Sequence, residues 1–144
     1  MKTLKQLLAA KTSRPLAVVA PRDTVFHALT IMAQHDVGAL LVLDGEQLVG
    51  IFSERDYARK IILQGKSSRE TQVREIMSDR VAYVMPSTTL DECMALMTEK
   101  RFRHLPVLTD DGSVVGMISI GDLVKETISA QQFLINELER YIAG

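Results

Sequence analysis

Tryptophan is absent from this sequence and cysteine occurs once, as Cys93. One cysteine closes no intrachain disulfide and is too few for a zinc cluster, which fits a reducing, cytoplasmic setting. Cys93 stands beside Met94 in a helical pattern and reads as a small buried side chain. The three histidines, His27, His35 and His104, are scattered and make no metal-ligand spacing. An excess of one charge is also missing: 17 Lys and Arg against 18 Asp and Glu leave a net charge of −1. That balance, with no basic stripe interleaved with aromatics, argues against nucleic acid or an anionic membrane as a partner. Apolar runs such as Ala39–Leu43 are far shorter than the ~20 residues of a bilayer span. Met1–Leu8 has two lysines but no sustained apolar stretch, so it does not read as a secretory signal. Neither Gly-x-Gly-x-x-Gly, nor a Gly-x-x-x-x-Gly-Lys loop, nor a Gly-x-Ser-x-Gly elbow occurs. Without an activated nucleophile or an acid–base pair, a binding module is expected here, and no enzyme and no catalytic cofactor.

What the sequence does contain is itself, twice. A shift of 65 residues lays Pro21-Arg22-Asp23-Thr24-Val25 on Pro86-Ser87-Thr88-Thr89-Leu90, and Val42-Leu43 on Val107-Leu108. One inserted residue later, Val49-Gly50-Ile51-Phe52-Ser53 meets Val115-Gly116-Met117-Ile118-Ser119, and Asp56 meets Asp122. Each copy reads strand, helix, strand, strand, helix. In the first, Leu16–Ala20 is a short β-rich run. Thr24 opens a helix with Val25, Ala28, Leu29 and Met32 on one face. Leu40–Leu43 is an unbroken apolar run, expected as a strand buried on both faces. Asp44-Gly45 is a turn, Leu48–Ser53 a strand and Glu54–Leu63 a helix. The second copy gives Val81–Val84, Thr89–Lys100, Leu105–Leu108, an Asp111-Gly112 turn, Val114–Ser119 and a helix from about Gly121.

The spacing places a boundary at Gly65-Lys66-Ser67-Ser68, dividing the chain into 1–68, with a leading helix over Thr3–Ala10, and 69–144, opened by a short connecting helix over Thr71–Met77. The leading helix falls outside the repeat proper. So does the end of the last helix, where Val124, Ile128, Ile135, Leu138 and Ile142 form a long apolar stripe. That stripe is expected to pack on the other copy or on a second subunit.

Two blocks carry a family signature. Asp23-Thr24-Val25, Ala28-Leu29-Thr30-Ile31-Met32, Gly38-Ala39-Leu40-Leu41-Val42 and Leu48 through Asp56 resemble one CBS motif, named after cystathionine β-synthase. Thr89-Leu90, Ala95-Leu96-Met97, Arg103-His104-Leu105-Pro106-Val107 and Val114 through Leu123 resemble a second. The resemblance implies an α/β (α+β) fold, two tandem βαββα repeats packed about a pseudo-twofold axis with a long C-terminal helix. It also implies clefts between the copies for AMP, ADP, ATP, S-adenosylmethionine or NAD(H), a disc-shaped homodimer, and regulation of an unidentified protein target, here in trans. The alternative is a structural dimer whose clefts hold no nucleotide.

A nucleoside site needs a carboxylate for the ribose diol, cations for phosphate and an apolar slot for the base. The repeated Ser-x-x-Asp, Ser53/Asp56 and Ser119/Asp122, sits where a strand passes into a helix. It is equally the pattern of a helix cap. The resemblance assigns the Asp to ribose. It assigns a basic residue at Arg103-His104 to phosphate, and the first copy has Gly38-Ala39 in that place. Arg55 offers a further cation, replaced by Gly121 in the second copy, and Lys11, Thr12 and Arg14 could add phosphate contacts. The base slots are expected from Val18, Val19, Val37, Gly38 and Ala39 in one cleft, and from Ala82, Tyr83 and Phe102 in the other. Asp122 is expected to share a cleft with Arg103-His104 and the first copy's slot.

Overall fold

In the computed structural model, which describes residues 2–10 and 16–143, each copy's first long helix begins at a threonine. Thr24 is extended (φ −72°, ψ 153°) and its hydroxyl accepts the His27 N–H, so α2 runs Val25–His35. Thr89 accepts the Glu92 N–H, and the Glu92 carboxylate accepts the Thr89 N–H in return, a capping box ahead of α4, Leu90–Lys100. Both helices end on a left-handed residue that is not glycine, Asp36 (φ 52°) and Arg101 (φ 59°). The same ~1 kcal/mol of strain is thus accepted at the same place in each copy.

Strands β2 (Ala39–Asp44) and β3 (Gln47–Ser53) form an antiparallel hairpin. Ala39 through Val42 are fully buried, as the unbroken apolar run predicts. The expected strand over Leu16–Ala20 shrinks to β1, Val18–Val19, parallel to β2. In the second copy, β4 (His104–Leu108) pairs with β5 (Val114–Ser119), and the expected strand over Val81–Val84 is one parallel bridge, Val84 to Val107. Proline follows within two residues of each short strand and removes a ladder donor, so neither extends. At the Asp111-Gly112 turn, the Thr109 hydroxyl and then the Ser113 N–H hold the Asp111 carboxyl below its ordinary pKa. The helix expected over Glu54–Leu63 is a single α turn, α3 (Glu54–Tyr57), continued by a π turn over Ala58–Ile62.

Two cores result, and the chain crosses between them. Val25, Met32, Leu40, Val42, Phe52 and Ile61 form the first, joined by Val73 and Ile76 of the connector. Cys93, Met97, Leu105, Val107, Ile118 and Leu123 form the second, joined by Leu4 and Leu7 of the leading helix α1, Leu4–Ala10. Sequence order assigns the leader to the first half and the connector to the second; packing assigns each to the other lobe. The two segments play one role. Val73 N–H donates to Asp23 O at 2.8 Å and Arg74 N–H to Pro21 O at 2.9 Å, while Leu4 N–H donates to Thr88 O at 2.9 Å and Lys5 N–H to Pro86 O at 2.9 Å. Met77 packs where a Cβ on Gly50 would stand, and Leu8 where one on Gly116 would. The connector holds only a 3₁₀ turn, Val73–Glu75.

Cys93 is fully buried in the second core, and burial pushes its thiol pKa up. Its labelling by a thiol reagent in the native protein is expected to be at least about a hundredfold slower than in denaturant. Labelling at the denatured rate would contradict this packing.

The last helix, α5, runs Ile120–Ala143. Its first turns hold Leu123 in the second core, and Glu126 pairs with Lys2 beside the leader. Beyond that the helix finds no cover among the described residues: Ile128, Ile135, Leu138 and Ile142 are all about half exposed or more.

Candidate functional site

The β3–α3 corner is built by its own cap. Asp56 Oδ2 accepts the Ser53 N–H at 2.9 Å and the Ser53 hydroxyl at 3.1 Å, and Ser53 Oγ accepts the Asp56 N–H at 3.2 Å. Oδ1 receives the Lys60 ammonium at 3.2 Å and the Ser78 hydroxyl at 3.5 Å. Asp56 is 9% exposed, and this full set of donors is what makes a carboxylate tolerable there. Lys60, in the π turn, also donates to Ile76 O at 2.9 Å, which ties the corner to the connector. The connector continues as a bridge, Ser78 to Ile51, which sets Ser78 beside Asp56.

This corner opens onto a cleft of about 800 Å³ between the lobes, within the usual range for small-ligand sites. Ser53, Arg55, Asp56, Arg59 and Lys60 line its first-lobe side. Ala82, Arg101, Phe102, Arg103 and His104 line the other, and Met77–Val81 and Gly38 complete the lining with their neighbours. The arrangement offers a carboxylate, an apolar patch and cations around one space, the three needs of a nucleoside phosphate.

The pairing differs from the one expected. Arg103 and His104 share a cleft with Asp56, and Asp122 does not line it. His104 is the register partner of Ser119 inside the β4–β5 hairpin, and the Ile120 N–H donates to Arg103 O at 2.9 Å. The Ser119 corner and the Arg103 loop are therefore backbone neighbours in one lobe, and the loop meets the corner of the other lobe across the cleft. Ser119 and Asp122 form a cap at the head of α5: Ser119 N–H to Asp122 Oδ2 at 2.8 Å, Asp122 N–H to Ser119 Oγ at 3.1 Å.

Of the expected base slots, Ala82 and Phe102 line this cleft and Tyr83 does not, its ring half exposed elsewhere. Val19 and Ala39 are core residues, Val37 packs against that core, and Val18 is partly exposed. Lys11, Thr12 and Arg14 lie outside the described residues. Reading by sequence missed Arg59, Lys60, Ser78, Arg80 and Arg101 as lining residues. Arg59 and Lys60 carry a signal, standing four residues after Arg55 and Asp56. Arg80 and Arg101 carry none, since only the meeting of the lobes brings them in. Among the described residues no cluster of three His, Cys, Asp or Glu could hold a metal ion, and no helix is long and apolar enough to cross a membrane.

Known proteins show the same organisation. A 46% identical relative over 127 residues is the mitochondrial CBS domain-containing protein CBSX3 of Arabidopsis thaliana; the match covers 85% of this chain and 61% of that protein. A CBS-domain protein structure from Burkholderia ambifaria is 54% identical with a TM-score of 0.85, over 90% of this chain and 96% of that one. CBSX2 of Arabidopsis thaliana, crystallised in complex with AMP, is 28% identical with a TM-score of 0.73, over 91% of this chain and 99% of that one. The CBS domain family matches residues 5–63 and again residues 73–129, so the chain belongs to that family as a tandem CBS pair.

Proposed function

We propose that the protein is a regulatory module that binds an adenosine nucleotide, of the AMP, ATP or NAD(H) type, in the cleft of Asp56, and that catalysis is not its role. The observation that carries this reading is that cleft's composition: Ser53 and Asp56 on one lobe, Arg103 and His104 with Ala82 and Phe102 on the other. AMP in CBSX2, a neighbour of the same fold, supports it. Asp56 Oδ1 is the oxygen for the ribose diol. Its present donors, Lys60 and the distant Ser78 hydroxyl, are side chains that can yield, whereas Oδ2 is held by the cap. Arg103 and Arg55 take phosphate, and the base lies against Ala82 and Phe102.

A ligand spanning both lobes shifts their relative position only by its difference in affinity for the two arrangements. The reading therefore needs a target that senses that position. We assign α5 to a second copy of the chain, in a homodimer that presents the lobes to an unidentified protein partner in trans, in the reducing cytoplasm.

Thermal unfolding tests the ligand. A nucleotide at a hundred times its dissociation constant stabilises by about 2.7 kcal/mol, a rise of about 5–10 °C at this size. The rise is expected to vanish in Asp56→Asn and to persist in Asp122→Asn. No rise with AMP, ADP, ATP, NAD(H) or S-adenosylmethionine would sink the reading and leave a structural dimer with unfilled clefts.

A further inference from the structure

We infer that the Asp56 cleft is built for a nucleotide carrying a chain of two or three phosphates, in preference to a monophosphate. The inference rests on the adenosine reading above and narrows it to one ligand class. Six cations line the cleft, Arg55, Arg59, Lys60, Arg80, Arg101 and Arg103, against three carboxylates, Glu54, Asp56 and Asp79. The whole chain has 17 Lys and Arg and a net charge of −1, so a third of its cations meet at one concavity. Lys60 already neutralises Asp56. None of the five arginines has an ion-pair partner among the described residues. Like charges gathered in a concave site raise its potential and repel one another until an anion enters.

The count decides between ligands. A single phosphate brings about two negative charges and is matched by one or two arginine forks. Five arginines exceed that need, and each further phosphate engages more of them. The arginines also come from three separate stretches of chain: the β3–α3 corner and its π turn, the end of the connector, and the loop before β4. Such a spread suits an extended anion better than a compact one.

This charge is not a property of the repeat. The positions matching Arg55, Arg59, Lys60, Arg101 and Arg103 in the other copy are Gly121, Lys125, Glu126, Asp36 and Gly38. At these five positions one cation and two acids stand where this cleft has five cations, so the polyphosphate site is assigned to the Asp56 cleft.

Calorimetric titration of the full chain with AMP, ADP, ATP and inorganic tripolyphosphate tests this. ATP is expected to bind at least about tenfold more tightly than AMP, with a steeper loss of affinity as salt is raised. Arg59→Gln and Arg80→Gln, both at exposed positions, are each expected to collapse most of the ATP-to-AMP ratio. Equal affinities for AMP and ATP, both lost in Asp56→Asn, would keep the nucleotide reading and overturn this inference. Binding of tripolyphosphate without any nucleotide binding would overturn the adenosine reading and this inference with it. Binding of neither would overturn both.

Discussion

Leu4→Ala is expected to destabilise the second lobe by about 3 kcal/mol, although Leu4 precedes the whole first repeat in sequence. Leu4 is fully exclosed from solvent among Cys93, Leu105, Ile118 and Leu123, and truncation leaves a cavity that a helix anchored at Thr3 and Thr88 cannot collapse to fill. Val73→Ala is the mirror experiment, costing about 2 kcal/mol in the first lobe. Global unfolding alone would not separate them, since both lower a urea midpoint. Cys93 supplies the lobe-specific probe. It belongs to the second core, so its native-state labelling is expected to speed up in Leu4→Ala and to change little in Val73→Ala. Equal effects of the two variants on Cys93, or no effect of Leu4→Ala on stability, would contradict the crossed packing.

The second large effect concerns α5. Val124, Ile128, Gln131, Ile135, Leu138 and Ile142 alternate at spacings of four and three, the spacing of a coiled-coil seam. Leu134 and Tyr141 widen the apolar face, and both are more than half exposed in the single chain. Gln131 is the one polar residue in the seam, the usual device for fixing register between equivalent helices. The protein is therefore expected to sediment at twice its 16.0 kDa chain mass. The double variant Ile135→Glu, Leu138→Glu puts like charges face to face in the seam and is expected to weaken self-association by at least about a hundredfold. The lobes, which take nothing from residues beyond Leu123 for their cores, should melt as a folded unit in that variant. A parent that sediments as a monomer, or a variant that still dimerises, would remove α5 from the interface.

Local rules made most of the fold readable. Thr24 and Thr89 announce their helices, Ala39–Val42 its burial, and Asp44-Gly45 and Asp111-Gly112 their hairpins, because each depends on residues a few positions away. The family, too, follows from motifs in order. Three things did not. The π turn replaces an expected α-helix at Ala58–Ile62, where Lys60 pairs with Asp56 four residues back and also reaches Ile76 O, a contact that no local pattern records. The kinship of the leader and connector is hidden from the main repeat, because Leu4, Leu7, Leu8 and Val73, Ile76, Met77 align only at a shift of 69 residues, outside its 65. The choice of Asp56 over Asp122 as the partner of Arg103 depends on which lobe's corner the loop meets, a tertiary fact. The Ser-x-x-Asp pattern is realised as a cap at both corners, so the pattern by itself does not say which corner serves a ligand.

The crossed packing also sets an order of events during synthesis. The leader emerges from the ribosome ahead of both repeats, while the groove that receives Leu4 and Leu7 is completed only when Leu123 has been made. At ordinary elongation rates that interval is roughly 6–24 s. The first lobe has its clasp at Val73 and Ile76 soon after its own strands are complete. The leader is thus made before either lobe yet buried only with the second, and its two leucines wait without their groove while both repeats are synthesised.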